Sequence, residues 1–231
     1  MSSSANRYRP GTRPRGEDTS RRILETALAL FATAGYDGAS TREIAEQAGV
    51  NLPAIQYYFG SKEGLYRAAI AHIGEQAVQT ITPIASRVWD ALDSGAPSRS
   101  QLIDLLCEMV DAVVKLFLDE SVPGRENRSL FVSRVEVEHT AALDPLNEAM
   151  RQHVLAPCAA LVSRLLGRPA EDEQVLLRTL MILGQAKIFC SRSVMRGLGW
   201  TTIGEHRVAV VQSLVEEHTR MICRALKVPP S

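Results

Sequence analysis

The stretch from Ser40 to Lys62, STREIAEQAGVNLPAIQYYFGSK, decides the fold. Ser40 and Glu43 stand at the S-x-x-E spacing of a capping box, in which each side chain satisfies a backbone N–H left open by the first helical turn. Ile44, Ala45 and Ala48 follow as a short apolar face, and Gly49 ends the helix. Asn51 is the next cap candidate, with Pro53 in the first turn, where a missing N–H is harmless. Ile55 and Phe59, four residues apart, give the second helix its inward side before Gly60-Ser61 breaks it. The spacing predicts helices over Thr41–Ala48 and Leu52–Tyr58, joined by Gly49-Val50-Asn51. Two helices joined by so short a turn are a helix-turn-helix unit.

Outward from this core the chain reads as helix after helix. Upstream, Ile23, Leu24, Ala27, Leu28, Phe31 and Ala34 fall on one helical stripe, with Asp18 or Thr19 as its cap and Gly35 as its end. Downstream, Ser61 can cap a longer helix running from Lys62 to about Ile81. Residues 99–119, 143–166, 171–196 and 205–226 repeat apolar positions at three and four, between separators rich in Gly and Pro. Residues 127–139 partly alternate, but a lone strand has nothing to pair with, so helix is expected there too. The expected class is all-α. A basic arm over 1–16, a helix-turn-helix domain over 17–66 and a larger helical domain over 67–231 are the expected divisions.

The composition, 45% hydrophobic and 23% charged over 231 residues, excludes wholesale disorder. The longest stretch without Lys, Arg, Asp or Glu, residues 47–61, is too short to span a bilayer. The first residues lack the apolar core of a secretory signal, so a cytoplasmic protein is expected. The net charge is zero, with 26 basic and 26 acidic side chains. Their distribution is uneven: Arg7, Arg9, Arg13 and Arg15 precede any acid, and residues 1–70 carry nine Lys/Arg against seven Asp/Glu. A basic leading end on a mildly acidic body fits an anionic surface partner or a solvated tail. Cys107, Cys158, Cys190 and Cys223 are scattered among apolar neighbours without a CxxC pair, as buried reduced thiols would be.

The helix pair has a specific physical use. The first helix packs against the helix over 23–34 and fixes the second, which can enter a DNA major groove wide enough for one helix. With Ile55 and Phe59 turned inward, Leu52, Pro53, Ala54 and Gln56 form the leading edge. Gln56 offers the donor and acceptor that match an adenine edge. Tyr57, Tyr58 and Lys62 can donate to phosphates, fixing register without reading sequence. Each has an ordinary alternative: either tyrosine can pack the domain, and Lys62 can be a solvated cap residue.

Residues 41–50, TREIAEQAGV, followed by IQYYFGSKEGL at 55–65, resemble the DNA-binding domain of the TetR family, as does Ala32-Thr33-Ala34-Gly35-Tyr36 before them. The match covers about residues 19–66. The resemblance implies a homodimeric, ligand-responsive transcriptional regulator, usually a repressor; a palindromic operator is expected from the two-fold dimer, and a small, largely apolar effector from the residue mix of the C-terminal body. It implies DNA contacts at Thr41, Arg42, Leu52, Pro53, Ala54, Gln56, Tyr57, Tyr58 and Lys62. The family often has Tyr at the position of Gln56 and His at that of Tyr58, so Gln56 is expected to read a base.

For the effector pocket, Phe117, Phe131, Arg134, Glu138, Met150, His153, Met181, Gln185 and Phe189 combine apolar bulk with sparse polar groups. Met and Phe at helical spacing also serve as plain core. Helices of about 171–196 and 205–226 are expected to meet their mates in a symmetric four-helix interface. An enzyme or metalloprotein is the competing class. Only Glu136-Val137-Glu138-His139 has the Glu-x-x-His spacing of a di-iron bundle, which needs two copies. No catalytic residues, metal or cofactor are expected, and a nonspecific DNA-coating protein is the third possibility.

Overall fold

The structure, a computed structural model, describes residues 15–118, 124–138, 140–188, 194, 197–199 and 204–226. The arm residues Arg7, Arg9 and Arg13, together with Phe189 and Cys190, lie outside these, as do the side chains of Phe117 and Glu138. Every element among the described residues is helical: α1 (Arg15–Gly38), α2 (Thr41–Gln47), α3 (Leu52–Phe59), α4 (Lys62–Asp93), α5 (Arg99–Leu118), α6 (Arg125–Glu138), α7 (Asp144–Met150), α8 (Ala156–Leu166), α9 (Glu173–Lys187) and α10 (Gly204–Ala225). The chain divides into two compact units, Met1–Ala69 and Ile70–Ser231, with α4 running through the boundary.

In the first unit, α1 begins at Arg15, earlier than the expected cap, so Glu17 and Asp18 stand in its first turn, where acids complement the helix dipole. Gly35, with φ 77° and ψ 175°, breaks the helical path where the sequence puts its end. Ile23, Ala27, Phe31, Ile44, Ala45, Ala48, Ile55, Leu65 and Ala69 form a core at most 3% exposed. Phe31, Tyr36 and Tyr66 close it as an aromatic trio, with the Tyr66 ring edge-on to both others at 5.0 Å.

The second unit is organised around α5, which packs against α8, α9 and α10. Leu106, Met109, Val110, Val114, Cys158, Leu161, Val162, Val175 and Cys223 are among its fully buried side chains. Arg99 ties the helix ends together: its guanidinium donates to the carbonyls of Leu165 at 3.1 Å, Cys223 at 2.8 Å and Leu226 at 2.5 Å. Along the α5–α10 seam, Arg220 donates to Asp104 at 2.6 Å and Glu216 at 2.9 Å. Both acceptors favour the charged guanidinium and push its pKa up.

Beyond shifts of a few residues at the ends of α1, α2 and α3, two larger differences from the predicted helices stand out. The helix expected to stop near Ile81 continues to Asp93 through Pro83. Pro83 and Gln79 are both exposed, so the N–H that Pro83 lacks is missing from the outer side of α4 and not from its packed side. The segment expected as one helix over 143–166 is subdivided into a 3₁₀ turn, α7, a π turn over Arg151–Leu155 and α8. Pro157 explains the π turn. An α-helical path would drive its ring into the His153 carbonyl, and the widened turn, closed by the Ala156 N–H on the Arg151 carbonyl, relieves that clash.

Candidate nucleic-acid interface

The turn between α2 and α3 is built from local chemistry. Ser40 caps α2 by accepting from the Glu43 N–H at 3.1 Å. At the other end, Val50 N–H reaches the Ala45 carbonyl at 2.9 Å and Gly49 N–H the Glu46 carbonyl at 3.1 Å, a Schellman closure. Gly49 takes φ 63°, a left-handed conformation that a Cβ would strain. Asn51 then caps α3 by accepting from the Ala54 N–H at 3.1 Å. Such a cap stabilises a helix by about 1 kcal/mol.

One turn later, Gly64 allows the close approach that joins α3 to α4: a Cβ there would lie 2.1 Å from the Phe59 carbonyl oxygen. Ser61 caps α4 through the Gly64 N–H at 3.0 Å. That steric requirement at Gly64 arises from the α3–α4 junction and leaves no mark in the local spacing.

Ile55 alone in α3 is fully buried. Phe59, expected to turn inward with it, is only partly covered, because the helix ends there and Gly60 redirects the chain. Leu52, Pro53, Gln56 and Tyr57 are exposed, Tyr57 by 82%, while Ala54 and Tyr58 are half-buried. Tyr57 and Tyr58 meet edge to face at 5.0 Å, which holds both rings at the helix surface. Arg42 is exposed and Thr41 half-buried at the start of α2. Lys62 has intramolecular partners: its Nζ sits 4.6 Å over the Tyr36 ring and donates to the Asp37 carbonyl at 3.5 Å.

The structure thus brings the predicted contact residues onto α2, α3 and the start of α4 within the first unit. A further residue, which no local pattern announces, holds the turn between α2 and α3. Arg22, on α1, donates through Nε to the Ala48 carbonyl at 3.0 Å, across 26 positions of chain.

The residues proposed for an effector pocket divide by location. Phe131 is 1% exposed, and Met150 packs partly buried against the core. Arg134 and His153 are half-buried, His153 within the π turn. Met181 instead stands on an outer face, 73% exposed. Gln185 borders a groove of about 440 Å³ with Ile188, Leu214, His218 and Met221. Its amide donates to the Ile182 carbonyl at 3.1 Å and accepts from His218 Nδ1 at 2.7 Å. Burial pushes the Cys158 thiol up to about 12, and those of Cys107 and Cys223 to about 11, which removes thiolate chemistry near neutral pH. No helix among the described residues is long and apolar enough to cross a membrane.

Comparison with known proteins gives matches to both units. Residues 23–69 match the family described as bacterial regulatory proteins, tetR family. Residues 102–226 match the C-terminal domain of the HTH-type transcriptional dual regulator CecR. The CecR protein of Shigella flexneri is 29% identical over 219 residues, covering 94% of this chain and 96% of its own. Among solved structures, the fatty acid degradation regulator FadR of Bacillus halodurans superposes with a TM-score of 0.60 at 17% identity, covering 94% of this chain and all of its own. FadR of Bacillus subtilis, solved with stearoyl-CoA, superposes with a TM-score of 0.59 at 18% identity, covering 86% and 96%. At such identities the likeness is one of fold.

Proposed function

The chain belongs to the TetR family of transcriptional regulators, with a C-terminal domain of the CecR type, and from that premise we propose that it binds a palindromic operator as a homodimer and is released by a small, largely apolar effector. The observation that carries the DNA half is the exposed edge of α3 mounted on a buried base. Leu52, Pro53, Gln56 and Tyr57 project from a helix whose seat is Ile55 and whose start is fixed by Asn51. Gln56 reads a base edge, the tyrosines and Arg42 meet phosphates, and Lys62 adds positive charge beside Tyr36.

The dimer half is supported by the apolar residues that α9 and α10 leave open to water. Leu177, Leu180 and Met181 on α9 and Ile188 just past its end, with Val210, Leu214 and Met221 on α10, are all more than two-fifths exposed. A surface of this kind marks an interaction site. Two copies meeting there form a four-helix interface and carry two reading helices to half-sites roughly 34–36 Å apart. An effector then acts by preferring a spacing that misfits the operator, since equal affinity for both states shifts nothing. α4, continuous from Lys62 to Asp93, is the natural lever. The cytoplasm is where such a regulator meets DNA.

Selection of bound duplexes from a random pool, followed by sedimentation with and without the winning duplex, tests this reading. A palindromic winner bound by two copies is the expected result. A monomer at micromolar concentration, or a pool with no preferred duplex, overturns it. Because the Shigella relative is named a dual regulator, transcription from a promoter carrying the selected site is to be scored for both fall and rise.

A further inference from the structure

The Schellman closure at the end of α2 engages the carbonyls of Ala45 and Glu46. The Ala48 carbonyl, on the capping residue itself, accepts instead from Arg22 Nε of α1 at 3.0 Å. Three positions after Ala48 comes Asn51, which starts α3. Arg22 adjoins Ile23, which is fully buried, so its backbone is anchored in the core of the unit. A guanidinium is planar, so a bond through Nε fixes direction as well as distance. Its charge also complements the negative end of the α2 dipole.

We infer that Arg22 is a positioning residue for DNA reading, setting the angle at which α3 leaves the turn by tying the Ala48 carbonyl to α1. Ser40, Gly49 and Asn51 shape the turn locally, but none of their bonds reaches another helix of the unit. The Arg22 bond does, and it spans the joint between α1 and the reading pair. Loosening that joint moves Gln56 and Leu52 relative to base edges a few ångströms away. Phosphate contacts, which tolerate small shifts, stay in number. The inference rests on the reading of the first unit as DNA-binding.

The test uses the full chain with Arg22→Gln and Arg22→Lys, at a temperature where circular dichroism reports both as fully helical. The probes are the tightest duplex that the unaltered chain selects from a random pool, every single-base change of it, and unrelated competitor DNA. Arg22→Gln is expected to bind the selected duplex about tenfold more weakly and to discriminate less among the single-base changes. Competitor affinity and the salt slope are expected to stay at the unaltered values. Arg22→Lys keeps the charge without the planar Nε–H and is expected to follow Arg22→Gln; it carries the test if the glutamine variant does not fold. Undiminished discrimination overturns the inference. So does recovery by lysine, or an equal loss on competitor DNA with a slope smaller by about one, since either makes Arg22 a plain phosphate ligand. Failure of the unaltered chain to prefer any duplex strikes the DNA reading itself.

Discussion

The exposed edge of α3 and the exposed face of α9 and α10 both look outward, yet they differ in chemistry. The first is one helix end that presents an amide, phenols and a proline above a single fully buried residue, Ile55. The second is a broad apolar stripe on two long helices, interrupted by the bonded pair Gln185 and His218. A polar edge held rigidly suits a charged, patterned polymer, whose surface is read by directional bonds. An apolar stripe is satisfied only by another apolar surface, and a second copy supplies one by symmetry. In the proposed dimer, the pair Gln185–His218 within the stripe would serve as a polar register mark.

The contrast can be broken at either side. The largest effect is expected from Leu180→Glu with Leu214→Glu, which puts four charges into the proposed dimer face. Sedimentation should show monomers, and operator affinity should fall at least a hundredfold, while the melting of the second unit changes little. Ile44→Ala, at a fully buried position beneath the reading pair, is expected to cost about 2–4 kcal/mol. Thermal melting should then show the first unit unfolding ahead of the second, with DNA binding lost in step. Gln56→Ala touches no core residue, and its cost of about 1–3 kcal/mol should appear only on the selected operator. Melting temperature and competitor affinity are expected to hold. Asn51→Ala removes the cap on Ala54 N–H and is expected to lower stability by about 1 kcal/mol, readable as a small shift in denaturant midpoint. Deleting residues 1–14 should flatten the salt slope of binding by less than the four arginines suggest, because Arg15 already belongs to α1.

The helix-turn-helix was legible because its determinants are local: Ser40, Gly49, Asn51 and Pro53 each act on backbone groups within a few residues. The apolar repeats of α5, α9 and α10 were legible for the same reason of periodicity. Three features were not. The end of α4 was placed too early, since solvent exposure at Pro83 decided whether the helix could tolerate it. The π turn before Pro157 depended on a clash with one carbonyl. The location of Met181 on an outer face rather than in an interior could not be read from its helix alone, because a stripe of apolar residues looks the same whether it faces core or partner.

The sequence alone determined the all-α class, the reading motif and the burial of Cys107, Cys158 and Cys223, since spacing and capping act through neighbours along the chain. Only the tertiary structure decided which apolar stripes remain uncovered and which distant residue holds the turn. Burial and the Arg22–Ala48 bond depend on where α1 lies against α2, and contacts 26 residues apart leave no periodic trace.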